Sequence, residues 1–135
     1  MTTTPQATEI TLHQQSKAME IAFADGARFK LPFEFLRVHS PSAEVRGHGP
    51  GQETLQVGKR DVVLTGVEPS GNYAIKLIFD DGHDSGLYTW EYVYNLGMHQ
   101  DALWQDYLRQ VEETGASREP GQYEVVGHIP RGCGI

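Results

Sequence analysis

Residues 71–90, GNYAIKLIFDDGHDSGLYTW, decide how the chain is read. Tyr73, Ile75, Leu77 and Phe79 alternate with Ala74, Lys76 and Ile78, the two-residue period of a strand with one buried face. Asp80-Asp81-Gly82 then turns the chain, because glycine accepts positive φ without a Cβ clash and aspartate tolerates it. A short second strand follows, and Thr89 reads as the N-cap of a helix that begins at Trp90. The same stretch gathers Asp80, Asp81, His83, Asp84 and Tyr88, the densest group of chemically capable side chains in the chain.

Working outward, a first hairpin is expected from Thr8–Leu12 and Ala18–Ala24, since Ile10 and Leu12, then Met19, Ile21 and Phe23, fall on one face. Asp25-Gly26 turns the chain into Arg28–Leu31, and Pro32 suits the start of a short helix ending at Val38, with Phe35 and Leu36 inward. Shifting the sequence by 56 positions superposes Ile21 on Leu77, Phe23 on Phe79, Asp25 on Asp81, Gly26 on Gly82 and Leu31 on Leu87. Two hairpin-plus-helix units sharing one sheet are implied. Residues 40–51, SPSAEVRGHGPG, form a glycine-rich irregular loop without a phosphate-loop pattern.

Strands resume at Val62–Leu64 and Val67, and Pro69 is expected to break the chain before the central strand because proline has no ladder donor. The helix from Trp90 is expected to stop at Gly97 in a left-handed cap. A longer helix, His99 to about Glu113, carries Leu103, Trp104, Tyr107, Leu108 and Val111 at spacings of three and four, and Gly115 closes it. The fold class is thus α+β: a small, mostly antiparallel sheet built from hairpins, with short helices and one longer C-terminal helix packed on it. Residues 1–7 read as a disordered leader, 8–116 as the domain and 117–135 as a flexible tail.

With 135 residues and 39% apolar content, the chain supports one modest core. A net charge of -7, with only 11 scattered Lys and Arg, disfavours nucleic acid and anionic membranes alike. No apolar run reaches the roughly 20 residues of a spanning helix. The N-terminus, MTTTPQATEI, lacks a signal peptide's basic and apolar regions, so a cytoplasmic location is expected. Cys133, the single cysteine, precludes an internal disulfide or a multi-thiolate metal site within one chain.

Two segments, LRVHSPSAEVRGHGPG (36–51) and GNYAIKLIFDDGHDSGLYTWEYVYNLG (71–97), together make the chain resemble the gamma-butyrobetaine hydroxylase-like N-terminal domain family from about Ile10 to Arg118. The resemblance implies a small mixed α+β domain. Members occur alone in bacteria, ahead of gamma-butyrobetaine and trimethyllysine dioxygenase domains, and beside P-loop ATPases that carry iron-sulfur clusters. The dioxygenase members look as though they hold a structural zinc through three cysteines and one histidine. Those cysteines fall at about Ser40, Ser42 and Val45 here, and the histidine at His83. Serine hydroxyls and valine do not replace thiolates on zinc, so the inherited site is expected to be absent. The dioxygenases' iron triad belongs to a separate domain and has no counterpart here.

Three functional readings follow. The first is a noncatalytic interaction module for an unidentified protein partner, linked by the resemblance alone to iron-sulfur or redox metabolism. Its expected surface comprises Arg37, His39, Arg46, His48, Asp81, His83 and Asp84. The second is a zinc- or iron-binding protein that uses His39, His48 and His83, or two of them with Asp81 or Asp84. The third is an enzyme of unknown reaction, for which Ser40 or Ser42 with His83 and an aspartate is the only candidate set, without a recognisable oxyanion hole. The bland accounts are a hairpin tip for 80–84, surface ion pairs with Glu34 or Glu44 for Arg37 and Arg46, and an incidental tail residue for Cys133. Monomer and homodimer are both open.

Overall fold

The computed structural model describes residues 4–42 and 55–119. Strands β1 (Ala7–His13), β2 (Ala18–Phe23) and β3 (Arg28–Pro32) lead into helix α1 (Phe33–Val38). Strands β4 (Leu64–Ser70), β5 (Ala74–Phe79) and β6 (Leu87–Thr89) lead into α2 (Trp90–Met98), and α3 (Gln100–Thr114) follows. The fold is α+β and its strands pair antiparallel throughout. The two units do not share a sheet: β1-β2-β3 and β4-β5-β6 are separate three-stranded sheets. One core joins them, with Met19, Ile21 and Leu31 of the first unit packed with Leu64, Leu77 and Tyr88 of the second, all fully buried.

The internal echo is carried into three dimensions. Strands β2 and β5 coincide at the 56-residue offset. In both units the phenylalanine ending the strand donates its N–H to the residue just after the Asp-Gly, Phe23 to the Ala27 carbonyl and Phe79 to that of His83. The aspartate carboxylate accepts from that same residue's N–H, Asp25 from Ala27 and Asp81 from His83. Gly26 and Gly82 have φ of 93° and 88°, as such a turn requires. After the turn the second unit is one residue longer. Leu31, opposite Met19, therefore corresponds to Tyr88, opposite Ile75, and Leu87 is displaced to the exposed face.

Three local expectations are corrected. Pro69 lies inside β4, paired with Ile75, because β4 is an edge strand and needs no donor on its outer side. Gly97 lies within α2, which runs on to Met98, and its lack of a side chain serves packing instead of a left-handed cap. Tyr73 sits in the β4–β5 turn, 53% exposed, ahead of the strand it was expected to anchor. Thr89 caps α2 as expected, its hydroxyl accepting from the Tyr92 N–H, and Gly115 ends α3 at φ 74°. Trp104 of α3 packs edge-on to Phe35 of α1, while Tyr107 and Val111 enclose Val38 in a satellite cluster.

Ser117 to Glu119, placed by sequence in the tail, are pinned to the domain. Gly58 and Arg60 donate their N–H groups to the Ser117 and Arg118 carbonyls. Arg118 makes two 2.7 Å bonds to the buried Glu34 carboxylate and lies over the Trp104 ring. Residues 120–135, with Cys133, lie outside the described residues. Among the described residues, no helix is long and apolar enough to cross a membrane.

Candidate functional site

The two units pack reciprocally. Helix α1 of the first lies on the Asp-Gly hairpin of the second, and α2 of the second lies on the hairpin of the first. At one end, Tyr94 of α2 donates to Asp25 at 2.6 Å. At the other, Arg37, the corresponding residue of α1, donates to Asp81 at 2.9 Å. Gly97 lets the Phe29 ring approach: a Cβ there would stand 2.4 Å from Phe29 Cγ. Its counterpart pair is Ser40 and Gly86, where a Cβ on Gly86 would stand 2.5 Å from Ser40 Oγ. Such pairing, i with j and j with i, is the signature of an isologous interface.

The two corners have the same architecture and opposite chemistry. The first is closed by aromatic rings, Phe23, Phe29 and Tyr94, with centroids 5.1–6.0 Å apart and edge-to-face. In the second, glycine replaces phenylalanine at 86, where Ser40 Oγ, the Tyr88 ring and Pro41 crowd the Cβ position, and His83 lies tilted against Phe79 with ring centroids 6.3 Å apart, hydrogen-bonded through Nε2 to Ser40 Oγ at 2.8 Å. Ser42 Oγ meets Ser85 Oγ at 2.7 Å, and the Ser42 N–H donates to Ser40 Oγ. Ser40, Ser42 and His83 are all buried. Two tyrosines satisfy carbonyls at the C-terminal end of α1: Tyr88 donates to Leu36 and Tyr92 to His39, each at 2.6 Å. Burial pushes the Tyr88 phenol well above its usual range.

Asp81 is the electrostatic centre. Its Oδ2 takes Arg37 and, at 2.6 Å, Lys59, while Arg37 also donates to Gln56. Burial alone would push the carboxyl up, but the Lys59 and Arg37 cations and the His83 N–H outweigh it and hold it down at about 2. A carboxylate with a depressed pKa stabilises the fold above its unfolded value and loses that contribution as pH falls. Stability should therefore decline between about pH 4 and 2, and Asp81→Asn should show a shallower decline over that window in acid-unfolding curves. A slope identical to wild type would remove Asp81 from this role.

Of the sequence-predicted residues, Arg37, Asp81, His83 and Asp84 come together at this corner. Arg37 and His83 are 6% exposed, so their side chains hold α1 to the hairpin instead of facing outward. Arg37 pairs with Asp81, not Glu34, whose partner is Arg118. His39 turns its Nδ1 to the Phe35 carbonyl between the Phe35 and Tyr107 rings, and burial lowers its pKa. Arg46, His48, Glu44 and Val45 lie outside the described residues. Sequence reasoning missed Lys59, Gln56 and Ser85. It also missed Gly86, because the 56-residue offset sets Phe29 on Ser85 and only the strand register moves the match to Gly86.

The zinc implied by the resemblance does not fit these donors. Ser40, Ser42 and His83 do converge, but two are neutral hydroxyls, both bound up in hydrogen bonds. Among the described residues, no three His, Cys, Asp or Glu side chains are grouped as ligands. Among the described residues, Asp81 does not complete a Ser-His-Asp arrangement either. Asp81 meets His83 through its backbone N–H and gives its other oxygen to Arg37 and Lys59.

The chain matches the family model described as gamma-butyrobetaine hydroxylase-like, N-terminal, over residues 10–94. Two solution NMR structures resemble it at 50% and 47% identity, with TM-scores of 0.77 and 0.76. The alignments cover 91% and 89% of this chain, and 97% and 92% of those chains. A crystal structure of a protein of unknown function from Acidithiobacillus ferrooxidans, assigned to the DUF971 family, is 39% identical with a TM-score of 0.58, covering 68% of this chain and 92% of that one. No curated protein matches. With the family model spanning well over half its length, the chain belongs to the gamma-butyrobetaine hydroxylase-like N-terminal domain family.

Proposed function

We propose that this domain is a noncatalytic protein-interaction module whose binding surface is built on the polar corner formed by residues 37–42 and 80–86. The observation that carries the reading is the internal comparison. The first unit closes the same corner with Phe29, Tyr94 and Gly97, so the fold does not demand serine, histidine and arginine there. Polar groups placed where packing would accept aromatics point to use in recognition. The exposed rim of the corner includes Asp80, Asp84 and Ser85, and the one-residue extension of the second hairpin falls in this stretch ahead of Leu87. A noncatalytic role accords with the close approach of Gly86 to Ser40, which leaves no room between them for a substrate atom. A partner in iron-sulfur or redox metabolism is suggested only by the resemblance.

The test places a photocrosslinking residue at Asp84 or, as the internal control, at the exposed Ala24 on the first hairpin. A partner captured from position 84 and not from 24, and displaced by excess unlabelled wild-type protein, is expected. Equal capture from both corners would overturn the assignment.

A further inference from the structure

We propose that an open groove of about 390 Å³ beside Glu91 binds an arginine side chain presented by another protein. Tyr73, Trp90 and Glu91 line it, at the end of β5 opposite the hairpin that carries Asp81 and His83, so it is separate from the polar corner. The occupant is read from the internal echo. Past the inserted residue, the match of Leu31 with Tyr88 sets Phe33 on Trp90 and Glu34 on Glu91. In both units the first residue of the helix donates its N–H to the residue just ahead of the central strand, Phe33 to the Lys17 carbonyl and Trp90 to that of Tyr73. Each helix carries its acid in the first turn, Glu34 in α1 and Glu91 in α2.

In the first unit the chain fills this position itself. Arg118 grips Glu34 with two 2.7 Å bonds and lies over the Trp104 ring, 5.1 Å from its centroid. In the second unit Glu91 is exposed and, among the described residues, has no ion-pair partner. Aromatic surface is again at hand, here from Tyr73 and Trp90. Both rings are already held. Trp90 donates its Nε1–H to the Asn72 carbonyl at 2.9 Å, and the Tyr73 ring packs over Gly71, where a Cβ would stand 3.1 Å from two ring atoms. An entering guanidinium therefore meets a carboxylate able to accept its fork and rings that need little ordering. A lysine ammonium offers neither the fork nor the flat face. The chain's net charge of -7 favours a cationic partner as well.

The probe is the peptide acetyl-Gly-Arg-Gly-amide, titrated into the isotope-labelled full chain and followed by NMR at the Trp90 indole N–H and the Glu91 amide. A saturable shift of both is expected, with a dissociation constant of about 1–10 mM. Glu91→Gln should weaken binding at least about fivefold through loss of the charge-assisted bonds. Tyr73→Ala should weaken it about threefold. The lysine counterpart of the peptide should bind wild type at least about threefold more weakly, and Asp84→Asn should leave arginine binding unchanged. No saturable shift up to about 50 mM would overturn the proposal. So would equal affinity for the arginine and lysine peptides, equal affinity of wild type and Glu91→Gln, or as large a loss from Asp84→Asn as from Glu91→Gln.

Discussion

Replacing Gly97 with alanine is expected to destabilise the domain by about 2–3 kcal/mol, the upper part of the range for overfilling a packed core. The added Cβ would sit 2.4–2.6 Å from three atoms of the Phe29 ring. That ring cannot step aside, because Phe23 and Tyr94 hold it edge-on at 6.0 and 5.5 Å. The helix must therefore move off the first hairpin, which also lengthens the Tyr94–Asp25 bond. Urea unfolding measures the effect, and Phe29→Leu in the same chain should recover part of it by making space. Gly115→Ala is the useful contrast. Nothing lies within 4 Å of its Cβ position, so only its φ of 74° opposes substitution, at about 1 kcal/mol. A Gly97→Ala protein as stable as Gly115→Ala would contradict the packing described for this corner.

Arg118→Ala should cost about 3 kcal/mol, because it strands the Glu34 carboxylate, 7% exposed, without its bidentate partner. Arg118 is itself partly exposed, so the figure sits at the low end for a broken buried pair. In thermal melts this corresponds to a drop of roughly 10 °C. The double variant Glu34→Gln/Arg118→Met should recover most of it, since removing both charges also removes their desolvation cost. Arg118→Ala melting within a degree or two of wild type would mean that residues 117–119 are not part of the folded unit.

Much of the fold was legible because its signals are local. Alternation in β2 and β5, the Asp-Gly turns, the Thr89 cap and the Gly115 stop each rest on the physics of a few neighbouring residues. The errors share one cause, which is that tertiary position decides them. Pro69 reads as a break until β4 is known to be an edge, and Gly97 reads as a cap until Phe29 is known to lie against it. Leu87 falls on Leu31 at the 56-residue offset, and only the register reveals the inserted residue that makes Tyr88 the true counterpart.

The candidate site was legible only as a set of residue types. Asp81, His83 and Ser40 stood out, yet their roles depend on contacts 43 and 44 positions apart in sequence. Arg37 is buried by the hairpin it grips, and nothing nearby in sequence announces that. Lys59 and Gln56 come from a stretch without periodicity, so no pattern connects them to Asp81 and Arg37. The echo held more information than its matching positions suggested. Its mismatches, Phe29 against Gly86 and Tyr94 against Arg37, mark where the two corners have been put to different uses.

The most direct test rebuilds the polar corner in the image of the aromatic one, with Arg37→Tyr, Ser40→Gly, His83→Ala and Gly86→Phe in one chain, and measures its melting temperature beside crosslinking from position 84. The account predicts a folded protein that melts no more than a few degrees from wild type and no longer captures the partner. An unfolded chain would show that the polar residues are there for stability, and a folded chain that still captures the partner would place recognition elsewhere on the molecule.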